Sequence, residues 1–234
     1  MSDNIPSVKV AADGHEDALI QSLPAVSRLA LAYAPASARL PTLALFALDT
    51  RLAGLLRHSR EPMLAQLRLS WWRESLGREH NEWPEGEPLL AALRSWNGKH
   101  KALTALVDGW EALTGPAPLP GDALRTMAQG RAEAFAGLAH ALDREKESRA
   151  AYRLGQQWGL ADLAVRLGNA QEREAALTLA GAENSGGRPR VSRALRPLLV
   201  LQGLARRRLD KGSEAAALSP AAMLKALRLG LLGV

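Results

Sequence analysis

The 234-residue chain carries 30 Lys and Arg against 24 Asp and Glu, for a formal charge of +6, with 47% hydrophobic residues and no cysteine. A disulfide framework and a thiolate metal site are therefore excluded, while there is enough apolar material for a sizeable core. Ala, Leu, Arg and Glu are abundant and β-branched residues few, so the composition predicts an all-α protein in a single domain.

Residues 1–15 are polar and read as a flexible N-terminus without the basic-then-apolar order of a secretory signal. A first helix is predicted over 16–34, bent at Pro24, and Pro35 and Pro41 punctuate the connection after it. The next, over 41–59, carries Leu45, Leu48, Leu52 and the pair Leu55/Leu56 at helical spacing. Pro62 suits the first turn of a third helix that runs to Gly77, with Met63, Leu64, Leu67, Trp71 and Leu76 as its apolar positions. After the turn-rich NEWPEGEP (81–88), helical patterns cover 89–96, 101–113, 122–142, 146–167, 172–182, 191–209 and 220–232. Pro197 falls inside one of these as a kink or early-turn proline, and ENSGGRPR (183–190) reads as a mobile loop. The expectation is a bundle of about nine helices.

No apolar run approaches the roughly 20 residues of a spanning helix, so the reading is a cytoplasmic protein that touches a membrane at most at its surface. Charge is uneven: from Arg188 onward ten Lys or Arg face only Asp210 and Glu214. Arg188, Arg190, Arg193, Arg206, Arg207 and Arg208 form the expected basic surface. Such a surface suits anionic membrane or an acidic protein partner, or simply faces solvent; nucleic acid is disfavoured.

The five histidines are scattered without HxxxH or HExxH spacing, and GxSxG and GxxxxGK are absent. Zinc, serine-hydrolase and nucleotide-binding chemistry therefore lack their sequence signatures. Trp71 and Trp72 lie about 100° apart on a helix, so both are buried only at a helix–helix junction; the favoured reading is a structural anchor and the other a wall for an apolar ligand tail. Arg68 and Trp72, at i and i+4, are spaced for a cation–π stack. Arg131, close to Glu133, has three readings: pairing with Asp49 across the bundle, facing solvent, or meeting an anionic ligand. Asp162 and Arg166 are spaced as an intrahelical ion pair.

The stretches RLALAYAPASARLPTLALFALD (28–49) and EPMLAQLRLSWWRESL (61–76) resemble the opening helices of the squalene/phytoene synthase family. Weaker similarity continues through LVDGWEAL (106–113), MAQGRAEAFAGLAHAL (127–142) and GQQWGLADLAVRLG (155–168). The resemblance implies a single-domain helical bundle of the isoprenoid (trans-prenyl) synthase type. It also implies two aspartate-rich motifs facing one another across a cavity, where acids at i and i+4 hold Mg²⁺ and the metal holds diphosphate.

In this chain the acids of the first motif align with Ala53 and Arg57, and those of the second with Ala170 and Glu174. Asp49 lies one turn before the first motif; Asp162 and Glu172 are out of register with the second. The resulting expectation is a degenerate family member, a non-catalytic binding or assembly factor without a cofactor, like the branch that resembles complex I assembly factors. An isoprenoid or lipid-like ligand and a protein partner go with it. Its candidate cavity residues are Asp49, Ala53, Arg57, Arg131, Glu133, Asp162 and Arg166. The alternative is an active head-to-head prenyl transferase that uses Mg²⁺ on the unconventional set Asp49, Glu133 and Asp162.

Overall fold

Proline sets many of the helix starts. Pro62, Pro88, Pro197 and Pro220 each occupy a first turn, where the missing N–H has no helical acceptor to lose. Side chains close two of these starts as well, where Glu87 accepts from Leu89 N (3.2 Å) and Ser219 Oγ from Ala222 N (3.3 Å), and a third at Asn169, whose Oδ1 accepts from Gln171 N (2.9 Å). The computed structural model describes residues 5–58, 61–183, 189–212 and 219–233, which hold eleven α-helices and, among the described residues, no strand.

The helices are α1 (Ile5–Ser22), α2 (Ala25–Leu31), α3 (Ala36–His58), α4 (Pro62–Gly77), α5 (Pro88–Leu93) and α6 (Thr104–Ala112). They continue with α7 (Gly121–Ala141), α8 (Ser148–Arg166), α9 (Ala170–Glu183), α10 (Arg196–Lys211) and α11 (Pro220–Leu227). Helix α7 is central, lying between α6 and α8; α8 packs in turn on α9 and α10, and α3 touches α1, α4, α5, α6 and α7. One contiguous apolar cluster runs from Leu19 to Leu229.

The described residues hold eleven α-helices where about nine were expected, and Pro24 divides the first pattern in two. Pro24 ends α1 and precedes α2, and α1 starts at Ile5, ahead of the expected residue 16. The 89–96 and 101–113 patterns each combine an α-helix with a 3-10 segment, Arg94–Trp96 and Lys99–Leu103. Helix α10 begins at Arg196, not at 191, which puts Pro197 in its first turn. Helix α3 starts before Pro41 and keeps that proline inside, and the Pro41 carbonyl accepts a bond from buried Trp96 Nε1 (3.1 Å). The expected 183–190 loop lies mostly outside the described residues.

Helix α4 buries a different stripe from the one expected. Ala65, Leu69, Trp72 and Leu76 are buried, whereas Met63, Leu64, Leu67 and Trp71 are exposed. The helix carries two apolar stripes, and only its neighbours α3 and α6 decide which faces inward. Trp72 is thus the anchor, with Trp71 edge-on to it at 4.9 Å and 41% exposed. Among the described residues the guanidinium–indole contacts fall on Arg131 and Arg94, not on Arg68. Trp83 closes the 81–88 turn from inside, donating to the Ser75 carbonyl (2.6 Å). None of the described helices is long and apolar enough to cross a membrane.

Two glycines set the spacing at α7. A Cβ on Gly130 would drive into the Ala105 carbonyl of the neighbouring segment, and one on Gly155 would come 2.6 Å from the Arg131 carbonyl oxygen. Gly130→Ala and Gly155→Ala are each expected to lower stability by about 1–3 kcal/mol in urea denaturation, since the clash is with backbone. Gly181→Ala, with open space at its Cβ, should raise stability by about 0.4–1 kcal/mol.

Candidate functional site

Four helices aim charged side chains at one point inside the bundle: Asp49 from α3, Arg131 from α7, Asp162 and Arg166 from α8, and Arg208 from α10. Arg131 is at the centre and only 3% exposed. Its Nε and Nη2 donate to Asp49 Oδ1 and Oδ2, both at 3.1 Å, a two-point grip that matches the planar fork to a carboxylate. The remaining arm, Nη1, donates to Asp162 Oδ2 at 3.1 Å. One guanidinium thus ties α3 to α8 through α7.

The rest of the cage follows from helical spacing. Trp158, Asp162 and Arg166 recur every four residues on one face of α8. Trp158 lies under the Arg131 guanidinium at 4.1 Å and stacks on Phe135, with ring centroids 5.2 Å apart. Trp110 of α6 sits 5.2 Å from the same guanidinium and donates Nε1–H to Asp49 Oδ1 at 3.0 Å. Arg166 Nε donates to Asp162 Oδ1 at 2.7 Å, and Arg208 Nη1 approaches the same oxygen at 3.5 Å.

Three guanidiniums therefore meet two carboxylates, leaving one positive charge in excess. Burial by itself pushes the Asp162 carboxyl up, but the charges of Arg131 and Arg166, helped by Arg208, outweigh it and hold Asp162 below the usual aspartate value. For Arg131 burial likewise works against the charge, and the two aspartates more than reverse it. Arg131 and Asp162 thus each favour the ionised form of the other.

A cleft of about 120 Å³ opens beside this network, lined by Asp49, Ala53, Arg57, Arg131, Asp162 and Arg166 together with both tryptophans and Thr50. Six of the seven candidate cavity residues therefore meet. The seventh, Glu133, lies on α7 but not in the cleft; its charge acts on Tyr152, whose phenol is pushed up first by burial and then by Glu133. The set Asp49, Glu133 and Asp162 is not assembled, and among the described residues no three His, Cys, Asp or Glu gather as metal ligands. The donor chemistry does not fit a divalent cation either. Arg131 fills the bridging position between the two carboxylates, and Arg166 and Arg208 add like charge around Asp162.

At the second aligned motif, Ala170 and Glu174 are exposed on α9. Glu172 turns inward, where its Oε1 accepts from Leu119 N at 2.7 Å and fastens the 115–121 connection to α9. Of the basic-surface residues, Arg190 and Arg193 are exposed and Arg206 is 4.0 Å from Asp210. Arg207 is half-buried, Arg208 is buried in the ion network, and Arg188 lies outside the described residues. Arg68 is exposed beside a second groove. Sequence reasoning missed Trp110, Trp158 and Arg208. The i, i+4, i+8 order of Trp158, Asp162 and Arg166 was the available signal for one of them.

No protein-family model, no curated protein and no solved structure matches the chain.

Arg131→Met leaves two buried carboxylates without their shared partner and should cost about 3–5 kcal/mol in urea denaturation. Arg166→Met, removing a side chain 43% exposed, should cost about 1 kcal/mol or less. The pH response follows from Asp162. Its folded pKa lies below the unfolded one, so its stabilisation is complete above the ordinary aspartate value of 3.8 and is lost as pH falls through the folded value. Stability measured between pH 6 and pH 2 should fall less steeply in Asp162→Asn than in the parent, from a lower starting level. Equal slopes would contradict the assignment.

Proposed function

We propose that the chain is a squalene/phytoene synthase-like scaffold that has given up metal-dependent prenyl transfer and works by binding, as an assembly or carrier factor for an isoprenoid or lipid-like ligand and a protein partner. The observation that carries this reading is the Arg131 guanidinium held between Asp49 and Asp162. In a synthase of this type, opposed acids hold Mg²⁺, and Mg²⁺ neutralises diphosphate as it leaves. Here the opposed acids are consumed by arginine, and the aligned motif positions Ala53 and Arg57 supply no further carboxylate. The scaffold assignment rests on the 28–49 and 61–76 stretches, and the loss of activity rests on the charge pattern in the cleft.

Trp110 and Trp158 line the cleft and give it an apolar wall, while Arg57 and Arg166 line it as cations. That arrangement supports retention of an amphiphile and offers no group to ionise one. Incubation with farnesyl or geranylgeranyl diphosphate, with and without Mg²⁺, should release no diphosphate above a protein-free control, and Mg²⁺ should leave Tm unchanged. Mg²⁺-dependent release abolished by Asp49→Asn would refute the proposal in favour of an active prenyl transferase.

A further inference from the structure

A second depression, about 530 Å³, lies among α1, α3, α4 and α5, and its size is that of a small-molecule site. It is formed on the side of α3 that carries Ala47, Arg51 and Leu55, one register away from Asp49. Its floor is apolar and buried, made by Leu19, Ala47 and Leu89. Its rim is cationic, with Arg51, Arg57 and Arg68 all exposed and His15 adding a ring nitrogen. Arg51 lies 3.7 Å from Glu87, a carboxylate that is itself engaged at the start of α5 by Leu89 N. Arg57 and Arg68 have no carboxylate partner among the described residues.

We infer that this groove binds a small amphiphilic anion, with a phosphate or carboxylate head held by Arg57 and Arg68 and an apolar body against Leu19, Ala47 and Leu89. The physical reasoning is differential. An apolar floor alone would take any hydrophobe, and a cationic rim alone would take any anion weakly and in a salt-dependent way. The two together favour a molecule that presents both, because a charge-assisted fork at the rim orients a tail that the floor desolvates. Arg57 and Thr50 line both this groove and the ion-network cleft, so a head group bound here reaches the mouth of the cleft without entering it. The inference does not depend on the loss of prenyl-transfer activity.

The test is calorimetric titration of the full chain at moderate salt with four probes: octyl phosphate, octanoate, octyl glucoside and inorganic phosphate. Octyl phosphate and octanoate should bind saturably. The neutral-headed glucoside and tail-less phosphate should each bind at least about tenfold more weakly, as expected when either a charge-assisted contact or the apolar contact is missing. The double charge reversal Arg57→Glu/Arg68→Glu should weaken octyl phosphate by about tenfold or more, and Ala18→Trp, placed on an exposed lining position, should do so by occluding the groove. If the double reversal loses its fold by circular dichroism, Arg57→Gln/Arg68→Gln replaces it with the same expectation. Octyl phosphate binding within twofold of the parent in both sets of variants would overturn the inference. So would inorganic phosphate binding as tightly as octyl phosphate, which marks an adventitious anion, or the absence of saturable binding by both anionic amphiphiles.

Discussion

The Arg131 guanidinium is taken out of water at the middle of the bundle and must be matched there, because an unpaired charge in that environment would cost far more than the fold can supply. Two carboxylates, on helices far apart in sequence, meet that demand with three hydrogen bonds, and two indoles cover its faces. The dependence is mutual, since among the described residues Arg131 alone hydrogen-bonds both Asp49 and Asp162. Much of the architecture follows from this reciprocity. Helices α3, α7 and α8 cannot shift against one another without breaking a charged contact, so the network fixes register in a core otherwise built from interchangeable Ala and Leu. Such a core packs well in several registers, and the buried polar cluster supplies the specificity that apolar contacts lack.

The network needs close helices, and the small residues around it provide them. At Gly130 the chain of α7 meets the backbone of the first turn of α6, and at Gly155 α8 meets α7 at the residue carrying the central guanidinium. Gly159 continues the same contact, with Arg131 Cδ at 3.4 Å from where its Cβ would be. Bulk is placed elsewhere: Phe135, Trp158 and Trp110 form the wall on which the guanidinium rests. The cleft beside the network is narrow for this reason, whereas the wider groove lies along α3 where α1, α4 and α5 meet it.

Helix content was legible from composition, and most helix positions from proline and periodicity. The divisions were harder, because a proline such as Pro24 or Pro41 reads alike whether it ends a helix or is carried within one. The inward face of α4 was not legible at all, since Met63, Leu64, Leu67 and Trp71 form as good a stripe as Ala65, Leu69, Trp72 and Leu76. At the site, the Asp162–Arg166 pair follows from local spacing, and the Asp49–Arg131 pair was one of three readings. Arg208 was hidden by its neighbours: in the run Arg206–Arg207–Arg208 only tertiary packing reveals which arginine turns inward. Glu133 was misplaced because two residues along a helix carry a side chain to another face.

The balance of charge separates the two functional readings. A metal-dependent prenyl synthase needs a strongly negative interior, whereas this interior has a surplus of guanidinium and positions its acids around it. A crystal structure grown with millimolar Mg²⁺ and farnesyl diphosphate addresses that difference directly. The account predicts the Arg131 guanidinium within hydrogen-bonding distance of both Asp49 and Asp162, with no metal between them. Arg131 swung out of the interior, with Mg²⁺ ligated by Asp49 and Asp162, would contradict it.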